Sequence, residues 1–342
     1  MRLLVSEDTT TPSYWLNWRF LLCAIWVLTS ILLASFLIWK YERSDNSKSE
    51  RGETQQERPR ILHYDESWKP CLKEIHPLHL VVFRLIAFCL LLVSLSLEVA
   101  AHGGELFYYY TQWTLTLVTI YFGFGLLLSI NGCLQHHKAN SCNDYHVSEV
   151  VEQGLYEPLA HGVNENEVEL RKQEHHCSRT AGLCGYLFQI LFQISAGAVT
   201  LTDGLYWTII FPFLTIRDYE LSFLTVVAHS LNAILLLGDT ALNSLGFPWY
   251  RISFFILWTA TYVIFQWIIH AFVSIWWPYP ILDLSSEYAP LWHLVVALLH
   301  IPCYGIFILL VKIKHLESRY VEVFCCVSVF PAAIMLLEKM GE

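Results

Sequence analysis

The sequence is divided into long apolar blocks, each about as long as the hydrocarbon core of a membrane is thick. A helix needs about 20 residues to cross that core, because it rises about 1.5 Å per residue. Blocks of this length run over 16–39, 78–98, 106–130, 184–211, 221–243, 253–276 and 290–312. Inside lipid every backbone polar group must be bonded within its own segment, which requires helices. The sequence therefore predicts an all-α fold, a polytopic transmembrane helical bundle with seven spans.

An eighth block, 321–337, is shorter and contains Glu322 and Pro331, so it is a candidate to span, re-enter or lie on the membrane surface. Composition supports a membrane protein, since 55% of residues are hydrophobic and 15% are charged, whereas soluble domains carry about a quarter charged residues. The net charge of −9 argues against nucleic acid as a partner and leaves membrane lipids as the expected one. The sequence leaves open whether the membrane is the endoplasmic reticulum or the plasma membrane.

Positive charges alternate between the two sides of the predicted bundle. Residues 40–77 carry eight Lys and Arg and residues 131–180 carry four, whereas 99–105, 215–220 and 277–289 together carry only Arg217. By the positive-inside rule, the N-terminus lies outside and the two long polar segments lie in the cytoplasm. Both mix charges of either sign without an apolar period, which predicts loosely ordered linkers over 40–77 and most of 138–180.

Three units follow from this pattern. Residues 1–77 form an N-terminal anchor helix, at about 16–39, with its polar linker. Residues 78–312 form a six-span core that contains the cytoplasmic loop 131–180. Residues 313–342 form a C-terminal tail with the eighth candidate segment.

Ionisable residues inside spans are energetically expensive and usually face the interior of a bundle, so they are the natural candidates for a site. Such residues are Asp203, His229, Asp239, His270 and His300. Asp239 lies near the cytoplasmic end and is expected to reach the interface. Counting along each helix places Asp203, His229, His270 and His300 in one layer of the outer half, together with the hydroxyls of Thr111 and Thr114.

A hydroxyl beside a neutral imidazole is the minimum for nucleophilic catalysis, with a third group to orient the imidazole. The layer offers Thr111 as nucleophile, with Thr114 as the alternative, and His229 as general base. Asp203 and Asn232 are the supporting residues, which would orient the base or hold the oxyanion. The structural alternative is that each threonine bonds the carbonyl of its own helix, as most threonines in membrane helices do.

Other functions also match parts of the sequence. Residue types that bind zinc occur in the 131–180 loop, at Cys133, His136, His137, Cys142, His146, His175, His176 and Cys177. Their spacing matches no standard zinc motif, so no metal site is predicted. No cofactor is predicted either, although His229, His270 and His300 are arranged on three helices as ligands of a b-type haem would be. A transporter, or a non-catalytic protein for adhesion, fusion or scaffolding, remains an alternative.

Four segments occur in an order that resembles a known family. They are FYYYTQWTLTLVTIYFG (107–123), LTDGLYW (201–207), HSLNAILLLGD (229–239) and WWPYPILD (276–283). This set is similar to the androgen-induced-gene membrane family, which includes the fly rolling-stone protein and hydrolases of branched fatty-acid esters of hydroxy fatty acids. The YTQWT of the third span points to a plant-type member. The extra anchor helix and the long 131–180 loop depart from the family pattern.

The resemblance implies an intramembrane Thr nucleophile, a catalytic His and action on lipid esters. The family's Thr follows a Tyr-Leu pair and corresponds to Thr111, which follows Tyr109 and Tyr110 here, and the family's His corresponds to His229. The spacing of His229, Asn232 and Asp239 is more similar to the rolling-stone branch, whose members are better known for cell fusion than for catalysis.

The topology can be tested by adding a protease to sealed vesicles of known orientation. We expect segments 40–77 and 131–180 to be cleaved from the same side, the cytoplasmic one, because together they carry most of the loop Lys and Arg residues. Vesicles opened with detergent serve as the control. Cleavage of the two segments from opposite sides would contradict the predicted number of spans between them.

Overall fold

The computed structural model describes residues 8–42, 64–71, 75–152, 182–214, 226–227 and 229–316. The described residues form eight α-helices and a π-helical segment, Tyr206–Leu214, that directly follows α5. The helices are α1 (Pro12–Trp15), α2 (Trp18–Glu42), α3 (Pro77–His102), α4 (Tyr110–Glu152), α5 (Leu183–Leu205), α6 (Leu231–Leu242), α7 (Ile252–Phe272) and α8 (Ala289–Leu316). Short 3-10 turns cover Tyr64–Ser67, Gly103–Tyr108, Trp249–Arg251 and Pro280–Leu282.

Within the described residues, six helices are long and apolar enough to cross a membrane. These segments are Trp18–Glu42, Pro77–Tyr108, Tyr110–His137, Leu183–Thr208, Trp249–Phe272 and Ala289–Lys314. They match six of the predicted blocks, so the chain is an all-helical, multi-pass membrane protein in its described part. The block 221–243 contains the 12-residue α6, while 215–225 and 321–337 lie outside the described residues. The number of seven spans therefore stays a prediction.

The predicted loose linkers are wrong in two places. Helix α4 continues to Glu152, because adding residues to an existing helix costs much less than starting one. In the first linker, residues 64–71 pack against the bundle, where Trp68 is 3% exposed. A Cβ atom at Gly132 of α4 would lie 2.3 Å from Cγ of Trp68, so only glycine leaves room for this indole. The polar composition of this linker gave no indication that a single tryptophan would anchor it to the bundle.

Helix α5 is the centre of the bundle and the most buried of the six long helices. One apolar cluster joins it to α3, α4 and α6, where the rings of Tyr121 and Phe188 stack with centroids 4.9 Å apart. A second cluster joins it to α1, α2, α4, α7 and α8 through side chains such as Tyr110, Phe255 and Tyr262. The opposite faces of α2 and α8 expose large apolar residues, among them Leu32 at 61% and Ile301 at 63%. Such surfaces match lipid rather than water.

A buried ion pair connects the helices at the end of the bundle where α3 begins. Arg84 of α3 donates from Nε to Oδ1 of Asp239 of α6 over 2.8 Å, and both side chains are fully buried. The same carboxylate accepts from the phenol of Tyr121 and from Nδ2 of Asn243. Asp239 therefore does not reach the interface as the sequence suggested, because Arg84 lies at the same depth and neutralises it.

The guanidinium of Arg84 also holds the first linker against the bundle. Its Nη1 donates to the carbonyl oxygen of Ser67 over 2.8 Å and to Oγ of Ser129 over 2.6 Å. Buried charges are tolerated only when they are paired and hydrogen-bonded, and here each donor has an acceptor. The network therefore ties α3, α4, α6 and residues 64–71 into one unit.

Removing one partner of this pair should destabilise the bundle strongly. We expect Arg84→Met to lower the free energy of unfolding by about 3–5 kcal/mol, because it leaves the carboxylate of Asp239 buried without its cation. Thermal unfolding in detergent measures the effect. Lys312→Met is the matched control, since Lys312 is exposed. The double variant Arg84→Met/Asp239→Leu should recover much of the loss, and equal stability of Arg84→Met and the control would contradict the proposed role.

Candidate functional site

The candidate residues lie at the end of the bundle where α4 and α6 begin and α5 and α7 end, which we call the outer end after the predicted topology. Helix α1 and residues 273–288 pack over this end. The indole of Trp277 donates to the phenol oxygen of Tyr14 over 3.1 Å, and Tyr14 donates to Asp283 over 3.2 Å. Burial and the nearby carboxylate of Asp283 raise the pKa of Tyr14, so its phenol keeps its proton near neutral pH.

Thr111 lies in the first turn of α4, partly buried below this cover. Its Oγ1 lies 3.4 Å from the phenol oxygen of Tyr279, a long hydrogen bond. Burial raises the pKa of Tyr279, which therefore remains a neutral phenol. Thr114 is fully buried and donates to the carbonyl oxygen of Tyr110 in its own helix over 3.0 Å. Of the two threonines, Thr111 is the one whose hydroxyl is directed away from its own backbone.

His229 lies in the turn before α6, directly across from the end of α5. Its Nδ1 lies 3.7 Å from Oδ1 of Asp203, which is within ion-pair range but longer than a normal hydrogen bond. Asn232 is fully buried one helical turn after His229 and is a polar neighbour of Asp203. The structure thus brings together three of the five predicted residues, the base and both supporting groups.

The π-helical segment holds the imidazole of His229 in place. The ring of Tyr206 stacks on it with centroids 3.6 Å apart and planes within 2° of parallel. The indole of Trp207 donates to the carbonyl oxygen of His229 over 2.7 Å. Such π-helical turns are rare and frequently occur at functional sites. Sequence reasoning named neither residue as part of the site, although both belong to the quoted LTDGLYW segment.

The cluster retains unused hydrogen-bonding capacity. Among the described residues, no hydrogen bond of normal length reaches either carboxylate oxygen of Asp203, Nδ1 of His229 or the amide atoms of Asn232, although these buried atoms are one another's polar neighbours. Buried polar groups in proteins normally have partners, so several unpaired groups in one place require an explanation such as a bound polar group. A substrate or water that bridges them would supply the missing bonds.

The structure does not join the threonines to the base. In the described part of the chain, His229 makes no hydrogen bond to Thr111 or Thr114, whose hydroxyls contact Tyr279 and Tyr110 respectively. The ring of Tyr279, which contacts Thr111, also packs against the ring of Tyr109, with centroids 6.0 Å apart. The outer end therefore contains two polar groups, one around His229 and one around Thr111.

The haem and metal alternatives depend on histidines that the structure places in different surroundings. His270 stacks on Trp277 with centroids 3.7 Å apart, while both ring nitrogens of His300 have hydrogen-bond partners within the chain. No group of three metal-ligating side chains occurs among the described residues. His136 packs on Trp68 with centroids 5.8 Å apart. The side chains of Cys142, His146, His175, His176 and Cys177 lie outside the described part.

Comparisons with family models, curated proteins and solved structures found no match for this chain.

The exposure of the three histidines predicts their order of chemical modification. Diethylpyrocarbonate acylates unprotonated imidazole nitrogens that solvent can reach. His229 keeps 14% of its side chain exposed, whereas His270 and His300 are buried, so His229 should react faster than either. Peptide mass spectrometry after a time course in mild detergent measures the three rates. Equal rates at His229 and His300 would contradict the described placement of the ring.

Proposed function

We propose that this chain is an intramembrane hydrolase of lipid esters, in which His229 is the general base and Thr111 is the nucleophile. The observation that supports it best is the contact of 3.7 Å between Nδ1 of His229 and the buried carboxylate of Asp203. A carboxylate at that nitrogen orients an imidazole and stabilises the imidazolium that forms when the ring accepts a proton. The resemblance to the androgen-induced-gene family is part of the same proposal.

The reaction follows from the two nitrogens of the ring. Because Nδ1 of His229 is directed at Asp203, Nε2 on the other side of the ring accepts the proton. The Oγ1 atom of Thr111 attacks the acyl carbonyl carbon and its proton passes to Nε2. The ester C–O bond then breaks, and the leaving alcohol takes that proton. Water repeats both steps on the acyl-threonine, which releases the fatty acid and restores the threonine.

Asn232 is the candidate for stabilising the charge that develops on the carbonyl oxygen. Its amide is fully buried beside the carboxylate of Asp203 and makes no hydrogen bond of normal length in the described part of the chain, so in this proposal one of its N–H groups turns to the oxyanion. A preorganised amide donor of this kind contributes a factor of about 10²–10³ to kcat in hydrolases. The same unpaired amide would be a stability cost in a purely structural helix.

Thr111 must approach His229 for this chemistry. Its present contact with Tyr279 is long at 3.4 Å and is therefore weak. Catalytic contacts are often loose without substrate and tighten when it binds. When an ester binds, the hydroxyl of Thr111 must move onto Nε2 of His229, so that the threonine oxygen lies between the imidazole and the carbonyl carbon that it attacks. The apolar chains of such a substrate match the lipid-facing surfaces of the bundle.

A non-catalytic role in adhesion, fusion or scaffolding is the second candidate. It is favoured by the hydrogen bond of Thr114 to its own helix and by the engagement of Thr111 with Tyr279. In that case the unpaired groups around Asp203 would hold ordered water. The two functions differ in their dependence on single hydroxyl and imidazole groups, which a scaffold does not require.

Activity measurements on purified variants separate these functions. With a long-chain fatty-acid ester as substrate, we expect Thr111→Ala and His229→Gln each to lower kcat/KM by about 10²–10⁴-fold, because each removes a group that takes part in proton transfer or attack. Thr111→Ser should retain part of the activity. Thr200→Ala is the control, since Thr200 donates to the carbonyl oxygen of Ala196 in its own helix.

Wild-type protein without esterase activity, or variants as active as the control, would exclude the hydrolase and support the second candidate.

A further inference from the structure

Two unpaired polar groups lie side by side at the outer end, on the side of the bundle where α2 packs against α7 and α8. The indole of Trp267 in α7 and the imidazole of His293 in α8 have ring centroids 6.0 Å apart. The Nε1 atom of Trp267 and the Nε2 atom of His293 are buried, and neither has a hydrogen-bond partner among the described residues. Because buried polar atoms normally have partners, this pair requires an explanation.

One of the two groups donates and the other accepts. An indole nitrogen carries a proton and only donates. The Nδ1 atom of His293 lies 2.9 Å from the carbonyl oxygen of Ala289, which only accepts, so the ring proton is assigned to Nδ1. No carboxylate is among the described hydrogen-bond partners of His293, and an apolar surrounding favours the neutral ring, whose Nε2 accepts. The pair therefore offers one donor and one acceptor.

Other indoles at this end have acceptors within the chain. They donate to oxygen atoms over 2.7–3.1 Å and belong to Trp15, Trp113, Trp207 and Trp277. An unpaired indole is therefore not the rule at the outer end, and the pair of Trp267 and His293 differs from its surroundings in its open hydrogen-bonding capacity.

A single hydroxyl satisfies both groups at once. Its oxygen accepts from Nε1 of Trp267, and its proton is donated to Nε2 of His293. Two hydrogen bonds of about 2.9 Å to one oxygen connect nitrogens that lie up to about 5–6 Å apart. Neighbouring rings with centroids 6.0 Å apart allow that separation. A carboxylate has no proton for His293 and an ammonium has no acceptor for Trp267, so the pair selects an alcohol.

The pair lies within the membrane and close to its surface. Trp267 is five residues before the end of α7 and His293 is four residues after the start of α8, which places both about 6–8 Å inside the helix ends. Phe20 of α2 packs edge to face on Trp267 with centroids 5.2 Å apart, and Trp15 packs on Phe20. The side chains of Trp15, Phe20 and Trp267 are each partly exposed, so a lipid can reach this aromatic group from the bilayer.

We propose that Trp267 and His293 bind the hydroxyl of a membrane sterol. A sterol has this hydroxyl as its single polar group, which matches a site with one donor and one acceptor in an apolar surrounding. Its apolar body matches the exposed side chains near the same helix ends, Leu21, Ile268 and Leu291. A diacylglycerol also has a hydroxyl, but its two ester groups would require further polar partners. The pair includes no residue of the proposed hydrolase, so the inference goes beyond that function.

Saturation binding of tritiated cholesterol to the purified full-length protein in mild detergent tests the inference. We expect saturable binding, and a dissociation constant about 3–10-fold higher for the ketone cholest-4-en-3-one, measured by competition. The ketone oxygen accepts from Trp267 but has no proton for His293, whose Nε2 stays unpaired. This comparison uses the wild-type protein alone, so it is decisive even where a variant fails to fold.

Two variants assign the two hydrogen bonds. Trp267→Phe keeps an aromatic ring but removes the donor, so it should weaken binding of cholesterol and of the ketone alike by about 3–10-fold. His293→Phe removes the acceptor, so it should weaken cholesterol binding and abolish the difference between the two ligands. Trp249→Phe is the matched control, because that indole is 54% exposed at the opposite end of the bundle, and it should bind both ligands as the wild type does.

Absence of saturable cholesterol binding to the folded wild-type protein would overturn the inference, as would equal affinity for cholesterol and the ketone. Displacement of cholesterol by dioleoylglycerol at the same concentration as by cholesterol itself would also overturn it, because the site would then recognise lipid alcohols in general rather than a sterol.

Discussion

Polar groups buried in a membrane must find their hydrogen-bond partners within the protein. In this bundle the pair of Arg84 and Asp239 meets that requirement most completely. The guanidinium donates to a carboxylate, a carbonyl and a hydroxyl from three other parts of the chain. A charge can remain at this depth only while all these partners are in place. The positions of α3, α4 and α6 relative to one another are therefore set by electrostatics as much as by apolar packing.

The two ends of the bundle satisfy this requirement to different degrees. Around Arg84 the strong polar groups are paired, and Lys314 similarly donates to the carbonyl oxygens of Thr240 and Asn243. Around Asp203 the carboxylate, imidazole and amide atoms are buried without hydrogen-bond partners among the described residues. The first arrangement provides stability, whereas the second leaves hydrogen-bonding capacity that a bound polar group or water would use. This contrast supports the proposal of a functional site at the outer end.

Much of the architecture follows from the sequence, because lipid leaves few alternatives to a helix of about 20 apolar residues. The shared depth of Asp203 and His229 could also be predicted, since depth depends only on counting residues along helices. Lateral contacts could not. Such contacts depend on how far each helix is rotated about its own axis, which the spacing of residues along one helix does not specify. Examples are the pairing of Asp239 with Arg84, the stacking of Tyr206 on His229 and the hydrogen bond between Thr259 and His300. The sequence did not predict the docking of Trp68, because the polar residues around it indicated a loosely ordered linker, whereas burial of this one indole holds the segment against the bundle.

The docking of residues 64–71 has a consequence for the modular organisation of the chain. The sequence suggests that the first 77 residues are a separate segment attached to a six-helix core, and that this segment could be removed by recombination or truncation. In the structure, Ser67 completes the bonds of Arg84, and Trp68 fills the space that Gly132 leaves open. Helix α2 also packs against α7 and α8. A chain that began at residue 78 would lose one acceptor of the buried guanidinium, which would keep Gly125 and Ser129 as partners of Nη1, and would have a vacant groove beside it. Helix α2, residues 64–71 and the six-helix core therefore pack as a single folding unit.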